Sequence, residues 1–177
     1  AAVAAVPWWE SPQYEPERFT TPAIDPEPFN SVGGLLSVQF DSNGNYLRSS
    51  RRTPQFAAID GNNTTFLGSP SSSVAPIDGE PDGYPNFFGT SAAAPNAAAV
   101  FALLLEAFPN ATPVQLIAAT RDSAIDVAGS EASTGEDDVT GSGLMDARAA
   151  AELLSQRVDP VDNGGGDDNA GGDDNSD

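Results

Sequence analysis

The sequence predicts a single domain that mixes β-strands with α-helices, strands first and helices last, ahead of an acidic tail. Three observations carry that prediction. Short β-like runs separated by turn signals fill the chain up to Leu67. Helical patterns with capping residues fill most of the stretch from Ala97 to Gln156, and 158–177 offers almost nothing apolar to bury. The length, 177 residues, fits one domain, and an apolar content of 39% before the 17 glycines are added suffices for a core. The domain is therefore assigned to 1–157 and the tail to 158–177.

"AAVAAV", Ala1 to Val6, stops at Pro7 and reads as a short buried strand. Residues 8–30 interleave prolines with Trp8, Trp9, Tyr14, Phe19 and Phe29, a composition that predicts an ordered loop pinned by aromatic groups. Leu36, Val38 and Phe40 alternate into Asn43-Gly44, followed by Tyr46. An Asn-Gly pair tolerates the left-handed backbone of a tight turn, so a hairpin is expected there. A further strand runs to Asp60-Gly61, with another expected over Thr64–Leu67 and a loop over 68–86.

Ala97 to Phe108 is apolar on every face apart from Glu106, which predicts a helix buried all round. Thr112, Pro113 and Gln115 combine a cap, a first-position proline and a reciprocal capping partner, so a helix is expected from Pro113 to Ser123. A third helix is expected over Asp146–Gln156. From Val158 onward the carboxylates repel one another, and the tail is expected to be a disordered linker. Its Asp/Asn/Gly content invites a calcium reading, but the D-x-[DN]-x-[DN]-G spacing is not met.

The net charge is −19, all seven basic residues are arginine, and seven of the excess negative charges lie in 159–177. Such a surface repels phosphate backbones and anionic lipid faces, so nucleic acid is excluded as a partner. The longest apolar run, Ala97–Leu105, falls short of the ~18–20 residues of a membrane span. No signal-peptide pattern opens the chain. Without cysteine there is no disulfide, thiolate nucleophile or Cys-based metal site. Histidine is also absent.

"FFGTSAAAPNAAAV", Phe87 to Val100, sets Ser91 at the mouth of a helix. A hydroxyl there lies beside unpaired N–H groups and the positive end of the helix dipole, which would stabilise an oxyanion. Gly89 permits a tight approach, and Pro95 is expected in the first helical turn, where its missing N–H costs nothing. By spacing alone the simpler reading is that Thr90 or Ser91 caps the helix. Both readings stand at this point.

"GTSAAAPNAAA", Gly89 to Ala99, resembles the nucleophile motif of subtilisin-like serine peptidases: Gly-Thr-Ser, a small residue two positions on, Pro two further, then small residues opening a helix. "FNSVGG" resembles the family's Phe-Ser-Ser-x-Gly element. "RRTPQFAAIDG" resembles its Lys/Arg-Pro-Asp stretch ending in Ala-Pro-Gly or Ala-Pro-Asp-Gly. "LLLEAFPNATPVQLIAATRDSAIDV" is similar to the two helices after the nucleophile, and "GSGLMDARAA" to the closing Gly-x-Gly-x-x-Asp-Ala helix. The resemblance covers roughly 1–155, in the family's order.

It implies an α/β, subtilisin-like three-layer fold with a mainly parallel sheet between helices. It also implies a serine endopeptidase in which Ser91 forms an acyl-enzyme and contributes its backbone N–H to the oxyanion hole, with Gly89, Thr90 and Pro95 as supporting motif residues. The substrate would be a peptide or protein, and the location secreted or extracytoplasmic. No cofactor is required; a structural calcium is compatible with the family, but no residue can be assigned to one.

The family orders its triad Asp, His, Ser, and its oxyanion asparagine also precedes the strand matched by "AAVAAV". With no histidine in the chain, the abrupt start at Ala1 is read as truncation. The fold would then be present only as its C-terminal portion, inactive alone and in need of the missing N-terminal part of the same domain. The alternative is a non-catalytic, peptidase-like binding scaffold. Three positions depart from the family pattern. Asn96 stands where histidine is usual (a packing residue, not the base), Gln55 replaces Asp after Pro54, and Ile59 replaces Pro.

Overall fold

Two parallel strands built almost wholly from small residues form the centre of the molecule. The computed structural model describes residues 1–11, 24–36, 39–47, 51–69, 83–129 and 131–158. In chain order the strands are β1 (Val3–Pro7), β2 (Gly34–Leu36), β3 (Gln39–Phe40), β4 (Tyr46–Leu47), β5 (Arg51–Thr53), β6 (Phe56–Asp60), β7 (Asn62–Asn63) and β8 (Asn86–Phe87). The helices are α1 (Thr90–Ala107), α2 (Pro113–Asp122) and α3 (Ala147–Arg157). β1 pairs with β6 in parallel, Val3 opposite Phe56 through Pro7 opposite Asp60. The other edge of β6 carries a parallel bridge from Ala57 to Leu144, with Met145 N donating to Ala57 O at 2.9 Å.

Alternation along these strands decides which side chains meet. Ala5, Phe56 and Ala58 face α1, where they pack on Ala93 and Ala97. Ala4, Val6 and Ala57 point the other way, against Ile24, Val127 and Leu144. Small residues on both surfaces let the helix approach closely, and Phe56 fills the remaining space against Phe101, ring centroids 5.6 Å apart. A second cluster ties α1, α2 and α3 together through Leu104, Leu116, Ala119, Ala150 and Leu154. The class is α/β around a parallel pair. Among the described residues helices cover one face of that pair, and irregular segments cover the other.

The local signals hold where they depend only on near neighbours. Thr112 and Gln115 form the reciprocal capping box, Gln115 N donating to Thr112 Oγ1 (3.3 Å) and Thr112 N to Gln115 Oε1 (2.8 Å). The third helix forms as expected, though Asp146, expected as its first residue, instead caps it by accepting from Ala149 N at 2.9 Å. The Asn43-Gly44 turn joins β3 to β4 as an antiparallel hairpin, its tip held by Asn43 N and Asn45 N donating to Asp41 Oδ1.

Three expectations need correction. α1 begins at Thr90, so Pro95 lies in its second turn rather than its first. The helix is not buried all round: Leu103 is 64% and Leu105 42% exposed, because among the described residues only the strands β1 and β6 lie beneath it. By length and composition α1 is also apolar enough to cross a membrane, which the shorter run Ala97–Leu105 did not suggest; here it lies against β1 and β6. The strand expected over Thr64–Leu67 forms earlier, at Asn62–Asn63, and the chain then turns as Phe66 N bonds Thr64 Oγ1. The Pro-rich 12–23, most of the 68–86 loop and the acidic tail from 159 lie outside the described residues.

Because Phe56 is fully buried between β6 and α1, Phe56→Ala is expected to lower stability by about 3–5 kcal/mol, read as a fall in the urea midpoint.

Candidate active site

The end of β6 and the start of α1 build the site together. After Asp60 the backbone turns at Gly61, whose φ is +75°. A Cβ there would sit 2.6 Å from the Phe88 ring and 3.1 Å from Trp8, so no other residue fits. β7 then pairs antiparallel with β8, Asn62 opposite Phe87, and this ribbon returns the chain to the end of β6. Asn86 Nδ2 ties the two strands, donating to Gly61 O at 2.9 Å and Asn63 Oδ1 at 3.1 Å. Phe88 stacks edge-on with Trp9, centroids 5.9 Å apart. That contact realises the aromatic pinning expected of the loop at its described end.

Gly89 is the N-cap residue of α1, with φ 113° and ψ 161°, a backbone that L side chains rarely adopt. Its carbonyl accepts from Ala92 N (2.8 Å) and Ala93 N (3.1 Å), and its own N–H donates to Asp60 Oδ2 at 2.6 Å. Neither Thr90 nor Ser91 caps the helix through its side chain. Ser91 is exposed in the first turn, and its hydroxyl has no hydrogen-bond partner among the described residues. The N–H groups of Thr90 and Ser91 likewise meet no backbone acceptor there, so both point out at the positive end of the helix dipole. Pro95, lacking an N–H, leaves the Ser91 carbonyl without its usual helical donor.

Asn96 anchors the helix to the strand end. Its Nδ2 donates to Ile59 O at 2.8 Å and to Asn62 Oδ1 at 2.6 Å, bonds of the kind expected of a packing residue. Gln55 holds the start of β1 beside the start of β6: its backbone N donates to Ala2 O at 3.0 Å, and its Nε2 to Arg52 O at 2.7 Å. A cavity of about 400 Å³ opens behind Asn96, between Ile59, Val100, Leu144 and Met145, but Ser91 does not line it. Among the described residues no three His, Cys, Asp or Glu side chains converge as a metal site.

Sequence reasoning missed one pair, Glu27 and Asp60. Both are buried, Asp60 completely and Glu27 to within 8% exposure, and the two carboxyls hydrogen-bond each other. Burial, then the charge of Asp60, then the bond to Asp60 push the Glu27 carboxyl from 4.5 up to about 7. Asp60 is also raised, by burial, against the opposing pull of the Gly89 N–H and of Glu27. Asp60 Oδ1 is buried with no hydrogen-bond donor among the described residues, an enclosure that favours a proton on the carboxyl pair. The one legible signal was an acidic residue closing the apolar strand Phe56–Ile59.

A model of the subtilase family matches residues 23–158. The chain belongs to the subtilase family. Subtilases as a family are serine-type peptidases. The chain is similar to the solved structure of fervidolysin from Fervidobacterium pennivorans, a keratinolytic enzyme related to subtilisin, at 26% identity over 68% of this chain and 18% of that one, TM-score 0.42. MycP1 with its N-terminal propeptide removed matches at 26% identity over 64% of this chain and 34% of that one, TM-score 0.40. A lanthipeptide protease matches at 23% over 64% and 39%, TM-score 0.37. The chain thus spans well under half the length of each of these subtilase-like structures. No curated protein matches it.

The Glu27 carboxyl makes stability depend on pH with a definite sign. Raised above its unfolded value of 4.5, it favours the fold below that pH, and the gain is lost as pH rises towards about 7. Glu27→Gln should flatten this dependence in thermal melts recorded between pH 4 and 8.

Proposed function

We propose that Ser91 is the nucleophile of a subtilase endopeptidase. The observation that supports this reading best is an exposed, uncapped hydroxyl in the first turn of α1, beside N–H groups without backbone acceptors. The hydroxyl oxygen attacks a peptide carbonyl carbon, its proton passes to a base, and the carbonyl oxygen becomes an oxyanion facing the Ser91 N–H. Collapse of that intermediate expels the amine, which takes the proton back, and leaves an acyl-enzyme that water hydrolyses.

Residues 1–177 hold no imidazole, so the base comes from outside them. Ser91 in this chain alone is a neutral hydroxyl, lacking the ~10²–10⁴ in rate that a positioned base contributes. A secreted or extracytoplasmic site of action goes with the same reading, as do peptide or protein substrates. A non-catalytic scaffold is the competing reading, favoured by the missing histidine.

In the full-length gene product a fluorophosphonate probe should label Ser91, and Ser91→Ala should abolish labelling. The 177-residue chain alone should show no peptide turnover. A gene product that carries a histidine and an aspartate in the family's order yet stays unlabelled at Ser91 would refute the nucleophile and favour the scaffold.

A further inference from the structure

We infer that Asp60 and Glu27 are positioning residues for Ser91: a buried carboxyl pair that clamps the Gly89 amide and so aims the first turn of α1. The inference rests on Ser91 being the nucleophile, and it concerns groups that touch neither substrate nor the reacting atoms.

The clamp is built from both ends. Asp60 is the last residue of β6 and is fully buried, so its carboxylate is fixed by the strand. Its Oδ2 takes the N–H of Gly89, two residues before Ser91, at 2.6 Å. Gly89 has the most freedom of any residue in that turn, and this bond removes it. Glu27 is delivered from the opposite side. Its N–H donates to Ala5 O at 3.1 Å, and Asn30 grips the same residue twice, accepting from Ala5 N (2.9 Å) and donating to Ala5 O (2.8 Å). The segment 24–30 is thereby docked on β1, and Glu27 is held against Asp60.

Among the described residues no cation relieves the pair. The arginines whose side chains are described are engaged elsewhere, Arg52 with Asp138, Arg121 with Glu136, Arg148 with Glu152 and Arg157 with Asp122. β1 and the first turn of α1 bring no charged side chain. The 3₁₀ turn Trp8–Glu10 brings only Glu10, whose Oε2 accepts from Asp25 N at 3.4 Å, and the 24–30 segment adds Asp25 itself. Two carboxyls in such surroundings share one proton. With the proton on Glu27, Glu27 donates to Asp60 and Asp60 keeps its negative charge for the Gly89 amide. Once Glu27 ionises, two buried anions repel, Asp60 loses its second donor, and the grip on Gly89 loosens. Burial raises the Glu27 carboxyl to about 7, which places this loss in a measurable window.

The test is the rate at which a fluorophosphonate labels Ser91 in the full-length gene product, from pH 5 to 10. The wild-type protein should lose reactivity on the alkaline side of about pH 7. Glu27→Gln keeps a permanent donor to Asp60 and should hold its rate through pH 9. Asp60→Asn retains an acceptor for Gly89 and should also lose the alkaline decline. Asp60→Ala should drop the rate by on the order of 10–10²-fold, with kcat rather than KM affected on a peptide substrate. Should Asp60→Ala fail to fold, the two conservative variants decide the matter. A wild-type rate that stays flat from pH 7 to 10, or a Glu27→Gln profile that superimposes on it, overturns the clamp and leaves the nucleophile standing. No labelling of Ser91 at any pH removes the nucleophile, and the clamp with it.

Discussion

The hydrogen bond from the Gly89 amide to Asp60 joins the core of this protein to its candidate chemistry. β6 ends at Asp60 and α1 begins one residue after Gly89, so the bond fixes where a buried strand hands over to an exposed helix start. A carboxylate enclosed away from the described cations must collect donors, and among the described residues those are the Gly89 amide and a protonated Glu27. That requirement explains why the loop between β6 and α1 returns to the strand it left. It also explains why Gly89 accepts a backbone conformation that other residues avoid.

The same junction depends on how closely α1 can lie on the strands. Ala93 and Ala97 meet Ala5 and Ala58, and at that separation Asn96 reaches Ile59 O and Asn62 directly. Larger side chains at these positions would push the helix away and open those bonds together with the Gly89 turn. Core and site are therefore one packing problem. Stability and the direction of the Ser91 hydroxyl are set by the same few small residues.

Family membership rests on a match across 23–158, and the motif that carries it most visibly, Gly89–Ala99, is a local one. Its legibility follows from its physics. A turn glycine, a hydroxyl and small residues must be contiguous to place a side chain at a helix start. Glu27 and Asp60 have no such contiguity. One lies in a proline-rich segment and the other closes a strand, and neither position has a period or spacing that marks it. Gln55 and Asn96 were visible as departures from the family pattern, but what they bond was not. Their partners, Ala2, Ile59 and Asn62, come into reach only through the β1–β6 pairing and the packing of α1.

By itself the sequence determined the elements whose causes lie within about four residues. Those are the capping box at Thr112 and Gln115, the Asn43-Gly44 hairpin and the glycine-serine entry to α1. It misjudged which faces of α1 are covered, where the strand after Gly61 forms and which turn holds Pro95. Tertiary structure decided these, along with the raised carboxyl of Glu27. Burial, desolvation and strand pairing are properties of what the rest of the chain brings alongside, and no short window of residues contains them.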